Sequence, residues 1–210
     1  MHDHLHRPKA RVQRRFGEVL IPRPKYQKIL EKRAYPPGEH GKEKQYRSGR
    51  RSDYGVQLEE KQKLAFIYNI RERQMRRYYL RAMQQTGATG ANMLSLLERR
   101  LDNLVYRAGF AATIWAARQL VSHGHILVNG QRLDLPSYSV RPGDAIAISE
   151  KMRSNPHIIE WVESSGAGAP GYLEVHPEQF TFTLTRLPER REIPVPVQEQ
   201  LVVEFYNRLT

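Results

Sequence analysis

Cysteine is absent from this sequence, which excludes disulfide bridges and thiolate metal sites. No apolar run approaches the roughly 18 to 20 residues that span a bilayer, and no apolar stretch near Met1 resembles a secretory signal. Motifs of nucleotide hydrolysis, dinucleotide binding, serine hydrolases and zinc peptidases are also missing. The sequence therefore predicts an intracellular protein that is not an enzyme and has no cofactor.

Acidic residues are scarce in the first half of the chain. The 210 residues include 34 Lys and Arg against 22 Asp and Glu; residues 1–100 hold 24 basic and 10 acidic side chains, and residues 101–210 hold 10 and 12. A basic region confined to one part of a chain favours contact with a polyanion, either nucleic acid or a membrane surface. A solvated basic tail is the simpler alternative.

Residues 1–51 lack periodic apolar positions and are punctuated by prolines and glycines. This composition predicts an extended basic arm without a core of its own, which becomes ordered when an anion neutralises it. Arg11, Arg14 and Arg15 are its candidate RNA contacts.

Helical periodicity begins after the arm. A helix is predicted from an N-cap at Ser52 or Asp53 through about Gln85, with a possible break at Asn69. Two glycines are expected to end this stretch, Gly87 and Gly90.

Leucines at i, i+3 and i+4 predict a second helix, from Leu94 to Ala108, with Gly109 as its left-handed cap. Thr113 can cap a third helix that ends at Gly124, and Asn129-Gly130 suits a type I′ hairpin that opens a small sheet. The remaining predictions are a strand at Ala145–Ser149, a helix at 156–163, a linker at Ser164–Gly171, a strand at Phe180–Leu184, an extended piece at Ile193–Val197 and a strand at Leu201–Tyr206.

The first predicted helix carries Arg73, Arg77 and Arg81 at i, i+4 and i+8, with Arg76 beside them. Like charges at this spacing destabilise a helix by a few tenths of a kcal/mol per pair, and arginine forks suit phosphate. These arginines are therefore candidate RNA contacts. A solvated face partly paired with Glu72 is the alternative.

The segment Tyr35–Gly41 combines two prolines with two glycines. The prolines preset extended backbone, and the glycine amides can approach a phosphate closely. Tyr35, Pro37 and His40 are the candidate contacts here, and a tight turn without a ligand is the alternative.

Polar and basic residues also surround the predicted hairpin. Such a surface on a helix pair beside a small sheet can grip phosphates and 2′-hydroxyls by shape. Its members are Arg99, Arg100, Arg107, Arg118, His123, His125, Asn129 and Arg132. By contrast, Leu97, Leu101 and Leu104 are expected in the core, and Asp102 is interpreted as a polar position in mid-helix.

These stretches resemble the bacterial-type small-subunit ribosomal protein four (S-four) family. The resemblance runs in family order from about Arg7 to the end of the chain. It is carried by Tyr35–Gly41, Ser52–Gly55, Glu60–Lys63, Glu72–Tyr79, Leu97–Asn103, Ala117–Gly130, Arg191–Pro194 and Glu199–Tyr206.

The resemblance implies a structural protein of the small ribosomal subunit. Such a protein binds the 5′ domain of small-subunit rRNA early, helps to nucleate assembly, contacts ribosomal protein S-five, influences decoding accuracy and lies near the mRNA entry channel. Some members also repress translation of their own operon. Lys61, in one of the matching stretches, joins the candidate rRNA contacts. The expected location is the cytoplasmic ribosome, although the Arg-rich start also resembles an organellar transit peptide, which leaves an organellar ribosome as the alternative.

Three features depart from the family or stand outside it. Many members bind zinc through N-terminal cysteines, which this chain lacks, so no structural zinc is expected. His2, His4 and His6 could chelate a metal, but flexible ligands at a chain end make a poor closed site, so no metal is predicted. Where the family usually has a basic residue after Thr113, this chain has Ile114-Trp115, and Trp115 can pack against a neighbour or stack on a base.

The predicted fold is α+β. It consists of a basic arm at 1–51, a helical body at 52–90 completed by 177–210, and an inserted helix-helix-sheet RNA-binding module with its following helix and linker at 91–176. Two other functions fit less well: an RNA-modifying enzyme that carries the module as an appendage, and a regulator that acts on mRNA away from the ribosome.

Overall fold

The computed structural model describes residues 8–46, 52–165 and 168–209. In chain order, these residues form helices α1 (Lys9–Phe16), α2 (Pro24–Lys32), α3 (Gly41–Tyr46), α4 (Asp53–Ile67), α5 (Glu72–Met83), α6 (Thr89–Glu98), α7 (Leu101–Arg107), α8 (Ile114–Ser122), α9 (Glu150–Arg153), α10 (Pro156–Ser165) and α11 (Glu199–Asn207). The strands are β1 (Ile126–Val128), β2 (Gln131–Arg132), β3 (Ala145–Ile148), β4 (Leu173–His176) and β5 (Thr181–Leu184). Within the described ranges, no helix is both long and apolar enough to cross a membrane.

The chain divides into two compact units. The first contains the described residues up to Arg71 and those from Val195 onward, and the second runs from Glu72 to Pro194. Helices and a small antiparallel sheet together confirm the predicted α+β class.

The arm is helical where the sequence predicts an extended segment, so that expectation was wrong. α1 ends at Phe16, and Gly17 follows it as a left-handed cap with a φ of 71°. Pro24 opens α2, where its fixed φ suits the first helical turn. Ile21 and Tyr26 are buried, and the Ile21 N–H donates to Gln13 Oε1 at 3.0 Å. A few well-placed apolar residues and caps therefore order these short helices without a regular apolar repeat.

α4 begins at the predicted N-cap, because Ser52 Oγ accepts a hydrogen bond from the Gly55 N–H at 3.2 Å. It ends at Ile67, and Asn69 follows with a φ of 50°, a left-handed conformation that Asn tolerates. The predicted break at Asn69 is therefore confirmed.

α11 lies where the sequence predicts a strand at Leu201–Tyr206, and that prediction was wrong. Val202, Phe205 and Tyr206 are buried, at positions i, i+3 and i+4. This spacing places them on one face of a helix, which packs against α4. The error arose because β-branched and aromatic residues are also the types enriched in strands.

In the second unit, α6 and α7 replace the single helix predicted from Leu94 to Ala108. The chain turns at Arg100, whose extended backbone (φ −65°, ψ 138°) forms an isolated bridge with Ser139. Gly90 lies inside α6 instead of ending the preceding helix. Gly109 has a φ of 80°, as its predicted cap conformation requires.

α8 and the hairpin follow the sequence closely. Thr113 Oγ1 accepts from the Ala116 N–H at 3.2 Å, which confirms the cap. Asn129 and Gly130 have φ values of 51° and 80°, the positive pair that a type I′ turn needs. They join β1 and β2 in an antiparallel pair.

The sheet has the strand order β2-β1-β3-β5-β4, and every neighbouring pair is antiparallel. β5 confirms the predicted strand at Phe180–Leu184, but it pairs with β3 and does not join the C-terminal body segment in which the sequence placed it. Apolar residues of α7, α8, α10 and the sheet form one core, in which Phe110 meets Phe182 edge to face at 5.2 Å.

α10 confirms the predicted helix and extends into the predicted linker at Ser164–Gly171. Residues 166–167 of that linker lie outside the described residues, as do His2, His4 and His6.

Candidate nucleic-acid interface

One basic surface predicted from the sequence lies on α5. Arg73, Arg76, Arg77 and Arg81 are all exposed, whereas Met75 and other apolar residues of the same helix are buried. Among the described residues, none of these four guanidinium groups has a hydrogen-bond or ion-pair partner, which argues against the alternative of pairing with Glu72. Four like charges on one helix, with no counter-charge among the described residues, favour the binding of an external anion.

Arg100 lies inside the second unit, although the sequence placed it on the surface around the hairpin. Its side chain is 2% exposed, and its Nε and Nη2 donate to Asp102 Oδ1 and Oδ2 at 2.9 and 2.7 Å. Nη1 donates to Tyr78 Oη at 2.9 Å. Burial lowers the pKa of Arg100, but the charge and hydrogen bonds of Asp102 outweigh burial and keep the pKa above its ordinary value. This arginine is therefore a charged element of the interior.

Arg118 reaches the same carboxylate from α8. Its Nε and Nη2 both donate to Asp102 Oδ2, at 3.0 and 2.6 Å, and its side chain stays 17% exposed. Asp102 lies in the first turn of α7 and is fully buried. The interpretation of Asp102 as a polar position in mid-helix is corrected accordingly, because it is the shared acceptor of two arginines.

Arg107 is held by a second buried carboxylate. Its Nε and Nη2 donate to Glu98 Oε2 and Oε1 at 3.1 and 2.8 Å. Glu98 is fully buried and also accepts from Asn103 Nδ2 and from Tyr172 Oη at 3.0 Å. Burial, followed by the charge of Glu98, raises the pKa of Tyr172 well above its ordinary value, so the hydroxyl stays protonated.

Arg99 is half-buried, and its Nε donates to the Val140 carbonyl at 3.0 Å. Burial and then the charge of Arg141 lower its pKa. Near the hairpin, Arg132 is exposed and its Nη2 donates to the His123 carbonyl at 3.2 Å. The side chain of Arg132 also lies against Gly124, where an added Cβ would collide with the guanidinium.

His123 and His125 lie close together, with ring centroids 6.1 Å apart. Burial and then the nearby charges of His123, Lys151 and Arg132 lower the pKa of His125, so its ring is neutral at pH 7. It can offer one donor and one acceptor to a ligand.

Asn129 stabilises the tip of the hairpin through two side-chain hydrogen bonds. Its Nδ2 donates to Asp144 Oδ1 and its Oδ1 accepts from the Ala145 N–H, both at 2.9 Å. Its two side-chain groups therefore tie the hairpin tip to the start of β3.

In the first unit, Arg14 fastens the turn at Tyr35–Gly41. Its guanidinium donates to the Tyr35 carbonyl at 3.2 and 3.1 Å and to the Pro36 carbonyl at 3.4 Å, and it lies 4.9 Å from the Tyr35 ring centroid. A Cβ on Gly41 would collide with the Pro36 carbonyl oxygen. The turn is therefore stabilised by hydrogen bonds and packing contacts within the protein.

The other arm candidates differ in exposure. Arg11 and Arg15 are exposed, Pro37 is half-buried, and His40 is exposed with its Nδ1 3.5 Å from Glu43 Oε2. Lys61 is only 8% exposed and its Nζ lies 4.7 Å from the Phe205 ring centroid, so it is more enclosed than the sequence suggests.

Sequence reasoning missed the carboxylates that hold these cations. Besides Asp102 and Glu98, the Lys63 ammonium bonds to Glu18 and Glu60 at 2.8 and 2.9 Å. Burial lowers the pKa of Lys63, but those two hydrogen bonds outweigh it, and the pKa lies above its ordinary value. A usable signal was present in the closely spaced opposite charges from Glu98 to Asp102, where two arginines lie between two acids.

No grouping of three or more His, Cys, Asp or Glu side chains suited to a metal occurs in the described parts of the chain. Trp115 is half-buried and has a contact within the protein.

Comparison with known proteins identifies the family. Residues 4–98 match the family described as ribosomal protein S4/S9 N-terminal domain, and residues 99–146 match the S4 domain. A protein named small ribosomal subunit protein uS4 from Akkermansia muciniphila is 48% identical over 204 residues, which cover 96% of this chain and 97% of that protein.

Proteins of the same name from Acidothermus cellulolyticus and Natranaerobius thermophilus are 51% and 49% identical over 180 residues, covering 85% of each chain. Their family is a structural, non-enzymatic one, which confirms the prediction that the chain is not an enzyme. The resemblance inferred from the motifs is therefore confirmed, and the chain belongs to the ribosomal protein uS4 family, with an S4 RNA-binding domain in its second unit.

Proposed function

We propose that this protein is a structural constituent of the small ribosomal subunit that binds small-subunit rRNA. Its relatives carry that subunit in their name, and its two family matches together extend from residue 4 to residue 146. The observation that carries the proposal is the exposed arginine face of α5, whose four guanidinium groups have no counter-charge among the described residues. Closely spaced phosphates supply that counter-charge.

The finer proposal is that the protein binds the 5′ domain of the rRNA early, nucleates subunit assembly and contributes to decoding accuracy. Neighbouring proteins including S-five and mRNA near the entry channel are the proposed further contacts, in a cytoplasmic ribosome. The proposed rRNA contacts are those predicted from the sequence, in the arm, on α5 and around the hairpin. The domain division proposed from the sequence is 1–51, 52–90 with 177–210, and 91–176. The compact units of the structure differ from it, because they divide after Arg71 and after Pro194.

Two tasks are distinguished within this set. Arg73, Arg76, Arg77 and Arg81 are proposed as direct phosphate contacts because they are exposed and have no partner in the described structure. Arg100 and Arg107 are proposed to act mainly by holding the surface in shape, because each donates to a buried carboxylate. Shape complementarity of this kind is how proteins usually recognise structured RNA.

Filter binding of the full chain to small-subunit rRNA across salt concentrations tests the proposal. We expect log affinity to fall steeply and linearly with log salt, because each neutralised phosphate releases a counterion. Sedimentation of cell extract in a gradient is the second measurement, and we expect the protein with the small subunit. A flat salt dependence, or a protein found only in the free fractions, would contradict the proposal and would favour a regulator that acts away from the ribosome.

A further inference from the structure

A cavity of about 190 Å³ lies in the second unit between α8, α9 and α10, outside the arginine face of α5. It is too large for one water, which occupies about 30 Å³ of liquid, and smaller than the roughly 300–1,000 Å³ of pockets for drug-sized ligands. Its size suits a single planar ring system.

The cavity has an apolar floor and an aromatic wall. Leu120 and Ile158, which line it, are 8% and 1% exposed. On the same wall His157 stacks on Trp161, with ring centroids 6.1 Å apart and planes inclined by 23°. Indole and imidazole faces are the surfaces on which RNA-binding proteins stack unpaired bases.

The rim supplies polar groups that can read the edge of a base. Gln119 is exposed, and no hydrogen bond of its amide to another described residue is found. Asn155 Oδ1 accepts from the His157 N–H at 3.0 Å, which leaves its Nδ2 as a donor. The neutral His125 ring adds a donor and an acceptor.

The charge around the cavity suits a nucleotide better than an apolar peptide. Lys151 and Arg132 are exposed and lie close enough to His125 to act on it electrostatically. Cations beside an aromatic slot are the combination that grips the phosphate and the base of one nucleotide.

We infer that this cavity holds one unstacked nucleobase of the bound RNA, stacked on the His157–Trp161 wall and hydrogen-bonded by Gln119 and Asn155. The inference rests on the proposed RNA-binding function. It adds a contact that depends on a base and not on phosphates.

The first test uses nucleoside monophosphates as probes. The chain has two tryptophans, so the Trp115→Phe variant of the full chain leaves Trp161 as the reporter. We expect AMP and GMP to quench Trp161 fluorescence saturably and ribose 5-phosphate to leave it unchanged. Adding His157→Ala and Gln119→Ala should weaken this binding at least fivefold. Absence of saturable quenching, or equal quenching by ribose 5-phosphate, overturns the inference.

The second test uses small-subunit rRNA. Both His157 and Gln119 are exposed, so their double alanine variant should fold normally, as circular dichroism can verify. We expect rRNA binding about tenfold weaker than that of the wild type, because the stacking contact with one base is lost. The salt slope should not change, because every phosphate contact is kept. Gln179→Ala, an exposed glutamine that does not line the cavity, is the matched control and should bind like the wild type.

The outcomes separate the two ideas. If the double variant binds rRNA as tightly as the wild type, or if its salt slope falls, the cavity inference fails and the proposed function stands. If the wild-type chain itself binds rRNA without salt dependence, it is the proposed function that fails.

Discussion

Asp102 and Arg118 join the first turn of α7 to α8 through two hydrogen bonds to one oxygen, from Arg118 Nε at 3.0 Å and Nη2 at 2.6 Å. The same carboxylate accepts both bonds from Arg100. Asp102 and Arg100 are both buried, so water cannot replace the carboxylate for the Arg100 guanidinium, whereas Arg118 stays partly exposed. One acidic residue thus fixes two arginines of the module and the angle between two of its helices.

Asp102→Asn should destabilise the fold severely. The amide keeps the shape but removes the charge, and leaving the buried Arg100 without its counter-charge costs about 3–5 kcal/mol. Urea unfolding followed by circular dichroism measures the loss. Asp134→Asn is the matched control, because Asp134 is exposed and makes no described side-chain contact; its effect should stay within about 0.5 kcal/mol. Equal stability of the two variants would show that the carboxylate charge is dispensable.

Features set by local chemistry were predictable from the sequence. The cap at Thr113, the Asn129-Gly130 turn and the buried leucines of α6 and α7 follow from short-range rules on hydrogen bonds, backbone conformation and spacing. The break at Arg100 was not predictable in this way, because the leucine spacing continues through it. Arg100 turns away from the helix to reach Tyr78 and Asp102, and Tyr78 lies 22 residues earlier.

The candidate site was predictable in its exposed part only. The arginine face of α5 could be predicted from the spacing of Arg73, Arg77 and Arg81 at i, i+4 and i+8 alone. The pairing of Arg100 and Arg107 depends on acceptors that the fold brings to them, and a count of charges treats every arginine as exposed. The base-sized cavity forms where α8 and α10 meet. Some 40 residues separate Gln119 from Trp161 in the sequence, and the periodicity of apolar residues does not indicate which helices pack together.

The arginine face of α5 should set much of the salt dependence of rRNA binding. Replacing Arg76 and Arg77 together by Gln removes two proposed phosphate contacts and keeps the helix, since Gln is a good helix former. We expect weaker binding and a salt slope that is shallower by roughly 1.4–1.8, at about 0.7–0.9 per contact.

The matched control for this pair is Arg191→Gln. Arg191 is exposed in the same unit but is not a proposed contact. Its replacement should leave the salt slope unchanged, and a slope that changes equally in both variants would point to a general charge effect.

Gly41→Ala should disturb the turn at Tyr35–Gly41. The new Cβ would collide with the Pro36 carbonyl oxygen, which also accepts from Arg14. The backbone must shift, so we expect severalfold weaker rRNA binding, measured by filter binding. Gly55→Ala is the control, because its Cβ would lie in the first turn of α4, 3.3 Å from Ser52 Oγ, where alanine is the better helix former. Unchanged binding by the Gly41 variant would mean that the turn is not a contact.

Tyr172→Phe should lower the free energy of unfolding at neutral pH and should lower it by a smaller amount at alkaline pH. The variant loses the hydrogen bond from Tyr172 Oη to the Glu98 carboxylate, a contact to a charged group worth roughly 1.5–3 kcal/mol. Because folding raises the pKa of Tyr172, its stabilising effect is complete below the unfolded pKa of about 10 and declines as the pH rises above that value.

Urea unfolding of the wild type and the variant should be measured between pH 7 and pH 11. The difference between their free energies of unfolding should become smaller above about pH 10. Other groups also titrate in this range, and comparing the two proteins at each pH cancels their contribution. Tyr138→Phe controls for loss of a hydroxyl, because Tyr138 is half-buried and its hydroxyl has no hydrogen bond to a described residue. A difference for Tyr172→Phe that stays constant to pH 11 would show that folding does not raise the pKa of Tyr172.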